Sequence, residues 1–145
     1  MGNNQDLHNN VKATRVIGPV AIGANATKTG VIIDRQNYGG VEFICSYGAI
    51  VTTGTVVTVQ ISEGDVTGTL TSVADADLIG TEALASRLGG ATTSGTGQNV
   101  SKRVGYKGNK RYVRLNTIST GTTSVGCVSV TALLLNPHVA AVSNP

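Results

Sequence analysis

Tryptophan is absent, phenylalanine occurs once, at Phe43, and aromatic residues make up only 3% of the chain. A core must therefore be assembled from Val, Ile, Leu and Ala, and the aromatic platforms on which single-stranded nucleic acids stack are scarce. There are two cysteines, Cys45 and Cys127, far apart and with neither a CxxC spacing nor a neighbouring histidine. That argues against a metal cluster, and two buried free thiols are expected. No apolar run approaches the roughly 18–20 residues of a membrane-spanning helix; the longest, such as 131–135, have the length of a strand. The opening MGNNQDLHNN has no basic stretch followed by an apolar one, so no secretory signal is read there. Folding in a cytoplasm is the expectation.

Catalytic groups are equally sparse. His8 and His138 stand near opposite ends, and no serine lies in a GxSxG context. Asp75 and Asp77 lack the glycine and distal glutamate of a calcium loop, so they are read as a turn or helix cap. The run Ser94-Gly95-Thr96-Gly97 lacks the Lys-Ser or Lys-Thr pair that closes a phosphate-binding loop. Neither enzymatic activity nor a cofactor or metal is expected.

What the chain does have is glycine, threonine and valine, in short β-branched runs broken at intervals of about ten residues. Candidate strands are 11–17, 20–22, 30–33, 41–47, 55–62, 69–73, 100–106, 110–118 and 125–135. Alternation places Val57, Val59 and Ile61 on one face, and likewise Val41, Phe43, Cys45 and Tyr47. The spacing of apolar residues over 77–88 suits a short helix, which Gly80 weakens, and 89–97 reads as a flexible surface loop. The expected fold is all-β: a single antiparallel β-sandwich or jelly-roll over residues 11–145 with at most one short helix. Residues 1–10, polar and rich in Asn, read as a flexible arm that orders on a neighbour.

Charge is distributed unevenly. Residues 1–82 hold all eight acids and four of the bases, a net of −4, whereas residues 83–145 hold seven bases and no acid. Six of the eleven bases fall between Val100 and Ile118: Lys102, Arg103, Lys107, Lys110, Arg111 and Arg114. Such a division points to an acidic partner: nucleic acid, another protein's acidic face, or a neighbouring copy. Gly105, Gly108 and Asn109 suggest a turn that would gather these residues into one hairpin patch, with Tyr106 and Tyr112 interleaved as at many interfaces. Arg111 shares parity with Val113 and Leu115 and is expected in a partly buried ion pair. A merely solvated edge, its lysines discouraging sheet-to-sheet association, is the alternative.

Several segments carry a resemblance: Asp6-Leu7-His8-Asn9-Asn10, Val31-Ile32-Ile33-Asp34-Arg35, Val41-Glu42-Phe43, Glu63-Gly64-Asp65, Ala74-Asp75-Ala76-Asp77-Leu78-Ile79-Gly80-Thr81-Glu82 and Lys102-Arg103-Val104-Gly105-Tyr106-Lys107-Gly108. Together they resemble small proteins of the head-gene modules of tailed bacteriophages and prophages, closest to the capsid cement, or decoration, proteins. The resemblance implies a structural virion protein on the capsid exterior that bridges subunits of the phage major capsid protein. It also fits self-association into a dimer or higher oligomer, with no membrane partner. Partner contacts are then expected from Lys102, Arg103, Lys107, Lys110, Tyr112 and Arg114, and from Leu7 and His8 on the arm. A phage tail or head-completion component is one alternative, and a nucleic-acid-binding β-barrel is another.

Overall fold

The computed structural model describes residues 6–22, 25–49, 56–87, 99–121 and 126–139. Residues 1–5 of the expected arm and the expected loop 89–97 lie outside them. Among the described residues ten strands run in chain order: β1 (Lys12–Ala21), β2 (Thr27–Thr29), β3 (Ile33–Asp34), β4 (Tyr38–Tyr47), β5 (Val56–Val66), β6 (Thr69–Ser72), β7 (Leu78–Ile79), β8 (Val100–Tyr106), β9 (Tyr112–Thr120) and β10 (Cys127–Pro137). Helix is confined to α1 (Leu7–Asn10), α2 (Glu82–Ala85) and a 3-10 turn at Asp75–Asp77 among the described residues. The helical spacing over 77–88 thus yields only one four-residue turn. Gly80, at φ +84°, ends the preceding β7 in a conformation that helices do not use.

Antiparallel pairing builds two sheets, ordered β1-β10-β4-β8-β7 and β2-β9-β5-β6, with β3 also pairing with β9. The pairs are nested. β5 and β6 form the innermost hairpin, β8 returns to β4, β9 returns to β2 and β3, and β10 returns to β1. A long ribbon folded back on itself and wrapped into two facing sheets is a jelly-roll, the architecture expected from the sequence. The expected strands 11–17 and 20–22 are one strand, β1, whose register shifts around Ile17. Pro19 is tolerated there because β1 lies at the sheet edge, where a missing N–H breaks no ladder.

The two inner faces meet in one core. From β4 come Val41, Phe43, Cys45 and Tyr47, from β5 Val57, Val59 and Ile61, from β9 Val113 and Leu115, and from β10 Val128, Val130, Ala132 and Leu134. All of them are buried, as the period-2 alternation required. Each fully buried Val, Leu, Ile or Phe contributes roughly 1.5–3 kcal/mol, and this offsets the chain entropy lost on folding.

α2 closes an edge that β6 is too short to cover. Val57 exchanges backbone hydrogen bonds with Arg87, the Val59 N–H donates to Ser86 Oγ, and the Ile61 N–H donates to Glu82 Oε1. The Tyr47 hydroxyl donates to the Ala85 carbonyl at 2.8 Å from the opposite sheet. An exposed β edge is thereby converted into a satisfied one.

Candidate functional site

The basic block does not form a hairpin. β8 belongs to the first sheet and β9 to the second, so residues 107–111 cross from one layer of the sandwich to the other. Tyr106 explains why. Its ring is buried at the end of the core, and its hydroxyl donates to Glu63 of β5 and accepts from the Lys110 N–H at 3.1 Å. Burial, and then the Glu63 carboxylate, push its phenol well above the ordinary tyrosine range. Gly108 lies against that ring so closely that a Cβ would overlap it. Tyr106 is therefore a core anchor and not the interface aromatic expected of it.

Arg35, which the sequence did not single out, holds the crossing from outside. Its Nε donates to the Lys110 carbonyl and its Nη2 to the Gly108 carbonyl, both at 2.5 Å, while its Nη1 reaches the Gly39 carbonyl at 3.3 Å. The guanidinium also lies 5.2 Å from the centre of the Tyr106 ring. No spacing rule marks a lone arginine in a turn for this task.

Most of the basic side chains already have partners within the chain. Lys110 pairs with Asp65 at 2.7 Å, and Arg111 donates to both oxygens of Asp34 at 3.0 and 2.7 Å. Arg111 also lies 4.9 Å from the centre of the Tyr112 ring. The expected Arg111 pair exists but is open to solvent, with 44% and 43% of its two side chains exposed. Parity failed because Arg111 precedes the first residue of β9. Lys102 follows the inner face of β8 and donates to the Ser86 carbonyl at 2.7 Å. Arg103 points outward, 81% exposed, with its Nε 3.8 Å from Glu42. Lys107 is exposed on the crossing, and Arg114 is half-buried with its Nε enclosed and lacking a hydrogen-bond partner.

The expected single patch is thus divided. Arg103 lies on the outer face of the first sheet, Tyr112 and Arg114 on the outer face of the second, and Lys107 and Lys110 on the crossing between them. Leu7 and His8 are exposed on α1, which Asp6 caps by accepting from the Asn9 N–H. Cys45 is buried, with its thiol pushed up to about 12 by burial, whereas Cys127 is exposed, contrary to expectation. Val128, Val130, Ala132 and Leu134 take the inner parity of β10, which turns Cys127 outward.

Asp34 and Asp65 sit below the ordinary carboxylate range because Arg111 and Lys110 hydrogen-bond them. A carboxyl lowered in the folded state stabilises the fold above its unfolded pKa and loses that contribution as pH falls through the folded value. The urea midpoint should accordingly decline as pH drops below about 4, and added salt should shrink the decline because both pairs are exposed. A midpoint flat from neutral pH through the acid range would contradict this.

Glu42 behaves in the opposite way. It sits in mid-strand on the outer face of the first sheet, with 19% of its side chain exposed, and burial raises its carboxyl above the ordinary range against the weaker pull of Arg103. The surface also carries open depressions. One of about 260 Å³ is lined by residues including Tyr47, Asn99 and Cys127, and one of about 200 Å³ by residues including Lys12, Asp34 and Tyr38. No group of three metal-ligating side chains is clustered among the described residues. No helix among them is long and apolar enough to cross a membrane.

No protein-family model matches the chain, and no curated protein matches its sequence. Similar solved structures exist. The PBSX exported protein XepA superposes with a TM-score of 0.52 at 13% identity, over 90% of this chain and 39% of that one. The SPBc2 prophage-derived protein YomS gives 0.49 at 13% identity, over 87% of this chain and 93% of that one. A pentameric capsid protein from metagenomic phage sequences gives 0.37 at 14% identity, over 94% and 72%. At these identities the likeness is one of fold.

Proposed function

We propose that this chain is a structural protein of a tailed-phage or prophage particle, specifically a cement protein that sits on the capsid exterior and bridges major capsid protein subunits after folding in the host cytoplasm. The observation that carries this reading is the nested jelly-roll, a rigid body whose outer faces are free to meet neighbours, in a chain whose sequence resembles phage head-module proteins. Its likeness in fold to XepA supports the reading. The role is one of binding and bracing, without catalysis. Shell contacts fall to exposed groups: Lys107 on the crossing, and Leu7, at 62% exposure, with His8 on the arm. Lys102, Lys110, Tyr112 and Arg114 contribute at the margins, since internal contacts already hold most of them. On a symmetric shell each modest contact is repeated by the lattice, so many weak sites add to a large stabilisation.

Purified particles test this directly. The protein should be found in the head fraction, and heads assembled without it should lose their contents at lower temperature. Its presence only in tails would replace this reading with that of a tail component. Tight binding of single-stranded DNA at about 150 mM salt, lost in Lys107→Glu, would favour the nucleic-acid alternative.

A further inference from the structure

One row of residues crosses all five strands of the first sheet on its outer face, each neighbour in direct register: Ala13, Leu133, Glu42, Gly105 and Ile79. The adjacent row is Arg15, Thr131, Ile44 and Arg103. Ile79 is 60% exposed, while Leu133 and Ile44 are half-buried. In the middle of this apolar ground lies Glu42, its Oε2 lying 2.6 Å from where a Cβ on residue 105 would stand, so Gly105 makes room for the carboxylate.

The isolated chain serves Glu42 poorly. Removing a carboxylate from water costs several kcal/mol unless close hydrogen bonds replace the lost hydration. Among the described residues its ionic partner is Arg103, at 3.8 Å and mostly in solvent. Elsewhere the chain pairs acids and bases at 2.7 Å. By that contrast Glu42 has only a distant ionic partner among the described residues.

We propose that the outer face of the first sheet is a self-association surface, on which a second copy docks so that the Arg103 of each copy caps the Glu42 of the other while Ile79, Ile44 and Leu133 are covered. A second copy fits because the face carries both members of the charge pair side by side. A twofold axis lying in the interface midway between Glu42 and Arg103 brings each over its complement, the self-complementarity that an isologous contact demands. Arg15, the other charged group of the two rows, lies on the edge strand and remains at the rim. This inference stands apart from the particle reading, since it concerns the purified chain alone.

Sedimentation of the full chain tests it. Wild-type protein should form a dimer, and Glu42→Arg or Arg103→Glu alone should weaken association about tenfold or more by setting like charges opposite. A mixture of the two variants restores opposite charges at both contacts and should sediment as a dimer again. Ile79→Asp, at an exposed position, should give a folded monomer, with circular dichroism as the check on folding. A wild-type monomer, single variants that dimerise undiminished, or a mixture that stays monomeric would each overturn the proposal.

Discussion

Replacing Phe43 by alanine is expected to lower the unfolding free energy by about 3–5 kcal/mol, a large share of the roughly 5–15 kcal/mol available to a domain. Phe43 is the one phenylalanine of the chain and is wholly buried in β4. Its cross-strand neighbours on the same face are Ala132 of β10 and Val104 of β8, both smaller than itself. Truncation would leave a cavity beside Ala132 and the β-branched Val104, which are too short and too stiff to swing into it. Urea denaturation would show the loss as a lower midpoint at unchanged slope. A loss under about 1 kcal/mol would mean that the sheets close over the gap.

Arg35→Lys should cost about 2–3 kcal/mol, although it preserves charge, because hydrogen bonds from a charged donor to carbonyls are among the stronger ones. The planar fork reaches the Lys110 and Gly108 carbonyls together and leaves its face against Tyr106. An ammonium cannot do all three. Amide exchange should accelerate at Lys107 and Lys110, whose N–H groups bond the Asp77 carbonyl and the Tyr106 hydroxyl. Global destabilisation without faster exchange there would move the role of Arg35 elsewhere.

Both positions bear on what could be seen in the sequence. The inner faces of β4 and β5 were legible because Val41, Phe43, Cys45 and Tyr47, and then Val57, Val59 and Ile61, alternate without interruption and the alternation is local. The connection after Tyr106 was not. Gly105, Gly108 and Asn109 signal a reversal, but a reversal within one sheet and a crossing between two use the same residues. What separates them is the bond from Tyr106 to Glu63, 43 positions away. Cys127 escaped for a related reason: an apolar neighbourhood says that a strand is buried, and only parity says which of its residues are.

The division of charge is plain in the sequence, and the fold gives it an internal use that the sequence does not show. Basic residues gather late in the chain and acidic ones early, which suggested an external acidic partner. Nested pairing lays late strands beside early ones, so Arg111 meets Asp34 and Lys110 meets Asp65 inside the same molecule. For these residues the acidic partner is the first half of the chain itself. Glu42 and Arg103 stand out because they are brought near each other without closing to the same distance.

The same nesting governs how the molecule can be made. Lys12 pairs with Leu134 and Ala21 with Cys127, so β1 leaves the ribosome long before its hydrogen-bonding partner exists. At roughly 5–20 residues per second, the hundred or so residues between them take several seconds to emerge. For most of that interval β4 lacks both of its neighbours, since β8 begins only at Val100 and β10 comes last. Its Val41, Phe43, Cys45 and Tyr47 face has no opposing layer complete enough to bury it. A nascent chain of this topology has to be kept from its own kind until the last strand arrives, and a cell that makes many copies at once makes that demand on its chaperones many times over.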